Sequence, residues 1–164
     1  MKSKKKKILL SAVIFIFIVI AAAIIVRSFV NKMVVDVKDV VSIEIDESGG
    51  NGGFITPSYF YKIDFNNNTV TEHIENPMNT ITQTDTKTTF TEEDKSYFIK
   101  YANYYGFFNW KESYDNDCYD MKSTNICITF KDGTQKNINC YGKFPLTYDK
   151  MKKVFEKAFG HNML

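Results

Sequence analysis

The run Ile8–Val26, ILLSAVIFIFIVIAAAIIV, limits what this chain can do more than any other feature: nineteen residues with no charge, proline or glycine and a single serine. As a helix it is about 28 Å long, close to the ~30 Å hydrocarbon core of a bilayer. Lys2 and Lys4 to Lys7 precede it, and only Arg27 and Lys32 follow closely. By the positive-inside bias this asymmetry predicts a cytoplasmic N-terminus and an outward remainder. The expected organisation is a cytoplasmic basic segment at 1–7, a transmembrane anchor at 8–26, a tether at 27–33 and an extracytoplasmic domain at 34–164. The expected address is the cell membrane, single-pass, with the bilayer as the first partner. A cleaved signal peptide is the competing reading, with Ala21 and Ala23 as an A-x-A cleavage site. Against it, Ile24, Ile25 and Val26 offer no polar, turn-prone stretch to a peptidase. No cysteine ends the run, so attachment in the lipoprotein manner is not supported.

Charge narrows the partners. Six of the 21 basic residues lie before residue 28, which leaves 15 basic against 19 acidic groups, a net of −4. A mildly acidic domain lacks the surplus of Lys and Arg that phosphate binding requires, so no nucleic-acid partner is expected. The proportions of 44% hydrophobic and 24% charged residues are those of one globular domain rather than a disordered tail.

Period-two alternation marks the strands. Val41, Ile43 and Ile45 alternate with Ser42, Glu44 and Asp46, and Ser48–Gly53 ends that strand. Tyr59, Tyr61, Ile63 and Phe65 mark a second, Asn66 to Asn68 a turn, and Thr69 to Glu75 the returning strand. Threonine recurs at 80, 82, 84, 86 and 88, which predicts an edge strand or exposed ribbon. Thr91 and Asp94 form a variant capping box for a helix carrying Phe98, Tyr101, Ala102 and Tyr105 and stopped by Gly106. Asp132-Gly133 signals a hairpin. A three-residue loop, Lys131 to Gly133, sets Ile126 opposite Ile138, whereas a two-residue loop sets isoleucines opposite amides, so the first register is expected. After Pro145, a stripe of Met151, Val154, Phe155, Ala158 and Phe159 predicts a second amphipathic helix. The expected class is α+β: an N-terminal transmembrane helix followed by an antiparallel sheet covered by two amphipathic helices.

The stretch from Phe107 to Phe159 carries Trp110-x-x-x-Tyr114, the Asp132-Gly133 hairpin, Tyr141-Gly142, and Phe144-Pro145 before a helix. It resembles an uncharacterised family of small exported or membrane-attached bacterial domains with a W-x-x-x-Y segment, a D-G hairpin and a proline-led helix. Tyr148 stands where that pattern has an aromatic after the proline, and Cys118 and Cys127 depart from it. The resemblance implies a fold and an address, and no reaction.

The side chains assemble no evident catalytic set. Three cysteines cannot all pair within one chain. By strand parity Cys127 and Cys140 point to opposite faces of the hairpin, so the expected disulfide joins Cys118 and Cys127 and leaves Cys140 as a buried thiol. Only His73 and His161 could serve a cysteine nucleophile, and His161 is expected in a frayed tail. Asp115, Asp117 and Asp120 form an acidic knot without the glycine of a calcium loop. No metal and no cofactor are expected. Aromatics crowd the region from Tyr97 to Tyr119, and Tyr104, Trp110 and Tyr114 are the residues expected on a partner surface. The leading expectation is an outward domain that binds a protein or envelope component. The alternatives are an exported enzyme using Asp115 or Asp117, a cleaved secreted protein, and a structural spacer.

Overall fold

Alternating apolar side chains set most of the strands in the computed structural model, which describes residues 16–17, 19–20, 34–36, 39–49, 57–75, 84–116, 121–161 and 163–164. In chain order the elements are β1 (Val40–Ser48), β2 (Ser58–Asp64), β3 (Thr69–Glu75), β4 (Thr84–Thr89), α1 (Glu92–Tyr104) and a 3-10 turn (Phe107–Asn109). Then come β5 (Ser113–Asp115), β6 (Ser123–Phe130), β7 (Gln135–Tyr141) and α2 (Tyr148–Phe159). The chain divides into two units, Met1–Val34 and Val35–Leu164. In the first, Ile16, Phe17, Val19 and Ile20 are helical and exposed.

Two expectations are corrected. Among the described residues no helix is long and apolar enough to cross a membrane. The 13 residues of α1 and 12 of α2 give lengths of only about 20 and 18 Å, and each keeps a polar face. The transmembrane anchor and the single-pass address are therefore not features of the described structure. The remainder of 8–26 and the basic segment 1–7 lie outside the described residues. The fold class is also different: the domain is mostly sheet, seven strands in the order β4-β3-β2-β1-β6-β7-β5 with two helices. Every neighbouring pair is antiparallel except β5 and β7, which run parallel and make the sheet mixed. β5 spans three residues, too few for alternation to announce it, and its partner is 22 residues on in sequence.

Register sends alternate side chains to a dry face and a wet one. Ile43 pairs with Ile63 on one side and Ile128 on the other, and Ile45 with Tyr61 and Ile126, which in turn faces Ile138. All six are buried. On this face α1 contributes Phe98, Ile99 and Ala102, and α2 contributes Met151, Val154, Phe155, Ala158 and Phe159. The ring of Phe98 lies 4.9 Å from Phe155, 5.1 Å from Phe159, 5.8 Å from Phe65 and 6.1 Å from Phe107, so one side chain joins both helices to the sheet. The opposite face displays Lys62, Asn125, Asn137 and Asn139 to solvent. The turn after β2 is held by Asp64, whose carboxylate accepts from the backbone N–H groups of Asn66 and Asn67, and Asn68 takes the left-handed angle, φ 52°.

The two described cysteines obey the same parity. Cys127 is on the wet face and Cys140 in the core, and both are free; Cys118, the partner expected for Cys127, lies outside the described residues. Burial pushes the Cys140 thiol up to about 11. Against an ordinary thiol near 9, that alone reduces its thiolate about a hundredfold at neutral pH. Alkylation of Cys140, read peptide by peptide by mass spectrometry, is expected to be at least about a hundredfold slower in the native chain than in denaturant. Equal rates would show that it is not core.

Candidate functional site

The exposed aromatic surface is built by α1. Thr91 caps the helix: its hydroxyl accepts from the Asp94 N–H, and the Asp94 carboxylate accepts from the Thr91 N–H. With Phe98, Ile99 and Ala102 turned to the core, a four-residue spacing sets Tyr97, Tyr101 and Tyr105 along the flank. Tyr97 and Tyr101 lie 4.6 Å apart by ring centroid, Tyr101 and Tyr105 6.2 Å, and Tyr104 and Tyr105 5.0 Å, a continuous ladder of four phenols. Cations sit over two of its rungs: Lys157 Nζ from α2 is 4.6 Å from the Tyr97 ring and Lys100 Nζ 5.5 Å from Tyr101.

The upper end of the ladder is braced. The Asn103 side chain accepts from the Val35 N–H at 2.9 Å and donates to the Val35 carbonyl at 2.7 Å. Thr147 Oγ1 donates to the Tyr105 carbonyl and accepts from Trp110 Nε1, both at 3.0 Å. Between these ties, Lys100, Tyr101, Asn103, Tyr104 and Tyr105 line an open groove of about 700 Å³. Tyr104 is 76% exposed, and Leu146, next to Thr147, is fully exposed. Tyr104 and Leu146 are thus each one residue away from the Tyr105–Thr147 bond.

The three residues expected on a partner surface separate. Tyr104 stands out in solvent. Trp110 is 5% exposed, packed 4.9 Å from Phe107 and bonded to Thr147, so its expected surface role is corrected to a core role. Tyr114 is half-buried, on the helix side of β5, and its hydroxyl accepts from the Lys111 N–H. Asp115 is exposed on β5, while Asp117 and Asp120 lie outside the described residues. Among the described residues no three His, Cys, Asp or Glu side chains converge to hold a metal ion.

Sequence reasoning missed a polar seam on the helix-covered face. His161, expected in a frayed tail, is instead seated: Nε2 is 3.3 Å from Thr88 Oγ1 and Nδ1 is 3.5 Å from a Glu72 oxygen, and beyond it Met163 and Leu164 are buried. The order hydroxyl, imidazole, carboxylate is that of a relay. Both separations exceed the roughly 2.6–3.2 Å of a base and its nucleophile, so the group serves as a tie that seats the C-terminal segment. Further along, the buried Glu47 pairs with Lys122 at 2.6 Å, and the buried Thr124 lies 3.3 Å from the Tyr148 hydroxyl. The signal for this seam was parity: Glu47, Tyr61 and Glu72 occupy inward positions where the strand pattern calls for apolar residues.

The seam makes the fold sensitive to base. Burial first, then the Glu72 carboxylate, raises the Tyr61 phenol above its ordinary value, and burial chiefly does the same to Tyr148. An unfolded phenol titrates near 10, so both groups contribute stability that is fully present below about pH 10 and is lost as pH rises toward the folded values. Melting temperature is expected to fall between about pH 9.5 and 11, and less steeply in Tyr148→Phe. A profile with the same slope in both proteins would refute this assignment.

Neither a protein-family model nor a curated protein matches the chain.

Proposed function

We propose that residues 35–164 form a non-catalytic binding module for another protein, and that the Tyr104 end of the tyrosine ladder is its contact surface. The observation that carries this reading is the 76% exposure of Tyr104 at the head of four adjoining phenols, beside a groove braced by Asn103 and Thr147. Tyrosine brings a large, rigid, amphipathic surface to an interface at little entropic cost, and it is over-represented among energetic hot spots. The fitting partner is a protein segment that places an apolar side chain in the groove and a carboxylate near Lys100.

The test is a titration of the partner recovered on the wild-type chain. Tyr104→Ala is expected to change folding stability by less than about 0.5 kcal/mol, as an exposed substitution does. It is expected to weaken binding by about thirtyfold or more, the effect of a hot-spot truncation. Unaltered affinity would remove Tyr104 from the site.

A further inference from the structure

We infer that the edge strand β4 pairs with β4 of a second copy of this chain, antiparallel about a two-fold axis at Thr86. β4 ends the sheet, and among the described residues no strand pairs with its outer side. The Phe90 N–H bonds to the Asn68 carbonyl, and Val70 faces Thr88 and Glu72 faces Thr86 in the same register. Because an antiparallel ladder alternates, the even positions 86 and 88 turn their backbone groups to β3, and Asp85 and Lys87 turn theirs outward. A second strand would therefore exchange four backbone hydrogen bonds with Asp85 and Lys87.

Charge selects the register. A two-fold axis perpendicular to the sheet preserves its faces, so the two strands can slide only in steps that keep like faces together. With the axis at Thr86, Asp85 of each copy lies opposite Lys87 of the other, giving two cross-strand pairs of opposite sign. Moving the centre one residue along sets Lys87 against Lys87, and moving it one residue back sets Asp85 against Asp85, both repulsive. Asp85 lies on the wet face, 72% exposed, with one carboxylate oxygen 2.6 Å from Nδ1 of His73, its neighbour on the inner strand β3. Lysine on an edge strand ordinarily blocks pairing. Here an aspartate two residues away makes the same edge complementary to itself.

Residues on the axis of such a pair have adjacent Cβ atoms, which permits a direct test in the full chain. Thr86→Cys is expected to form a covalent dimer under mild oxidation at least about tenfold faster than Asn125→Cys, an exposed position at the middle of the wet face, each corrected for the bands of the parent chain. Adding Lys87→Asp to Thr86→Cys places like charges opposite each other and is expected to slow the crosslink about tenfold or more. The further exchange Asp85→Lys restores opposite signs and is expected to restore the rate. Each variant is compared at equal melting temperature, with Lys87→Glu replacing Lys87→Asp if the latter melts earlier. Crosslinking at position 86 no faster than at 125, or charge variants that do not separate in this order, would overturn the pairing.

Discussion

Phe98→Ala is expected to cost about 3–5 kcal/mol of folding stability, more than most other single truncations in the domain. Phe98 has no exposed surface and lies within 6.1 Å of four other phenylalanine rings, two from α2, one at the end of β2 and one in the 3-10 turn. Truncation to a methyl removes the ring's transfer free energy and opens a cavity whose walls belong to separate elements that cannot collapse together. Chemical denaturation reads the effect, and Phe98→Leu, which keeps most of the volume, is expected to recover more than half of it. A loss below about 1 kcal/mol for Phe98→Ala would mean that the helices are not packed on the sheet through this ring.

Trp110→Ala is expected to have a comparable effect, again about 3–5 kcal/mol, and for a reason that separates it from Tyr104. The indole is buried against Phe107 and Tyr148, and its N–H reaches Thr147. Thr147→Val leaves the packing and removes the acceptor, so it is expected to cost about 1–3 kcal/mol, the penalty of an unsatisfied buried donor. Tyr104→Ala, six residues earlier, is expected to be neutral to folding. If Trp110→Ala were also neutral while Thr147→Val was costly, the Thr147–Tyr105 hydrogen bond rather than the indole would hold the α1 terminus.

Much of this architecture is legible in residue order where one face is wet and the other dry. Ile126 meets Ile138 because the two-residue alternative sets isoleucine against amide, and the observed register is that of the three-residue loop. The Thr91–Asp94 cap needs only two polar residues three apart, and both of its hydrogen bonds form. The threonine alternation with almost no apolar side chain marked β4 as an edge, and it is one. Legibility fails where a contact is set by tertiary approach. Ser113–Asp115 pairs with β7 because the 3-10 turn and Trp110 deliver it there, and three residues carry no period. The tyrosines of α1 were visible as a cluster, but which phenol faces solvent depends on Asn103 and Thr147 binding groups 68 and 42 residues away in sequence. The inward Glu47 and Glu72 escaped notice because strand periodicity counts them as polar without showing that their partners, Lys122 and His161, come from other segments.

If a partner docks on this domain as proposed, it does so at the Tyr104 end of α1. Site-resolved photo-crosslinking in cells tests it most directly, with a benzophenone amino acid at position 104 of the full chain and, in a parallel strain, at Asn125 on the opposite face. One discrete adduct is expected from position 104, absent from position 125 and diminished by Lys100→Glu. Adducts of equal yield from both positions, or none from 104 where 125 gives one, would contradict it.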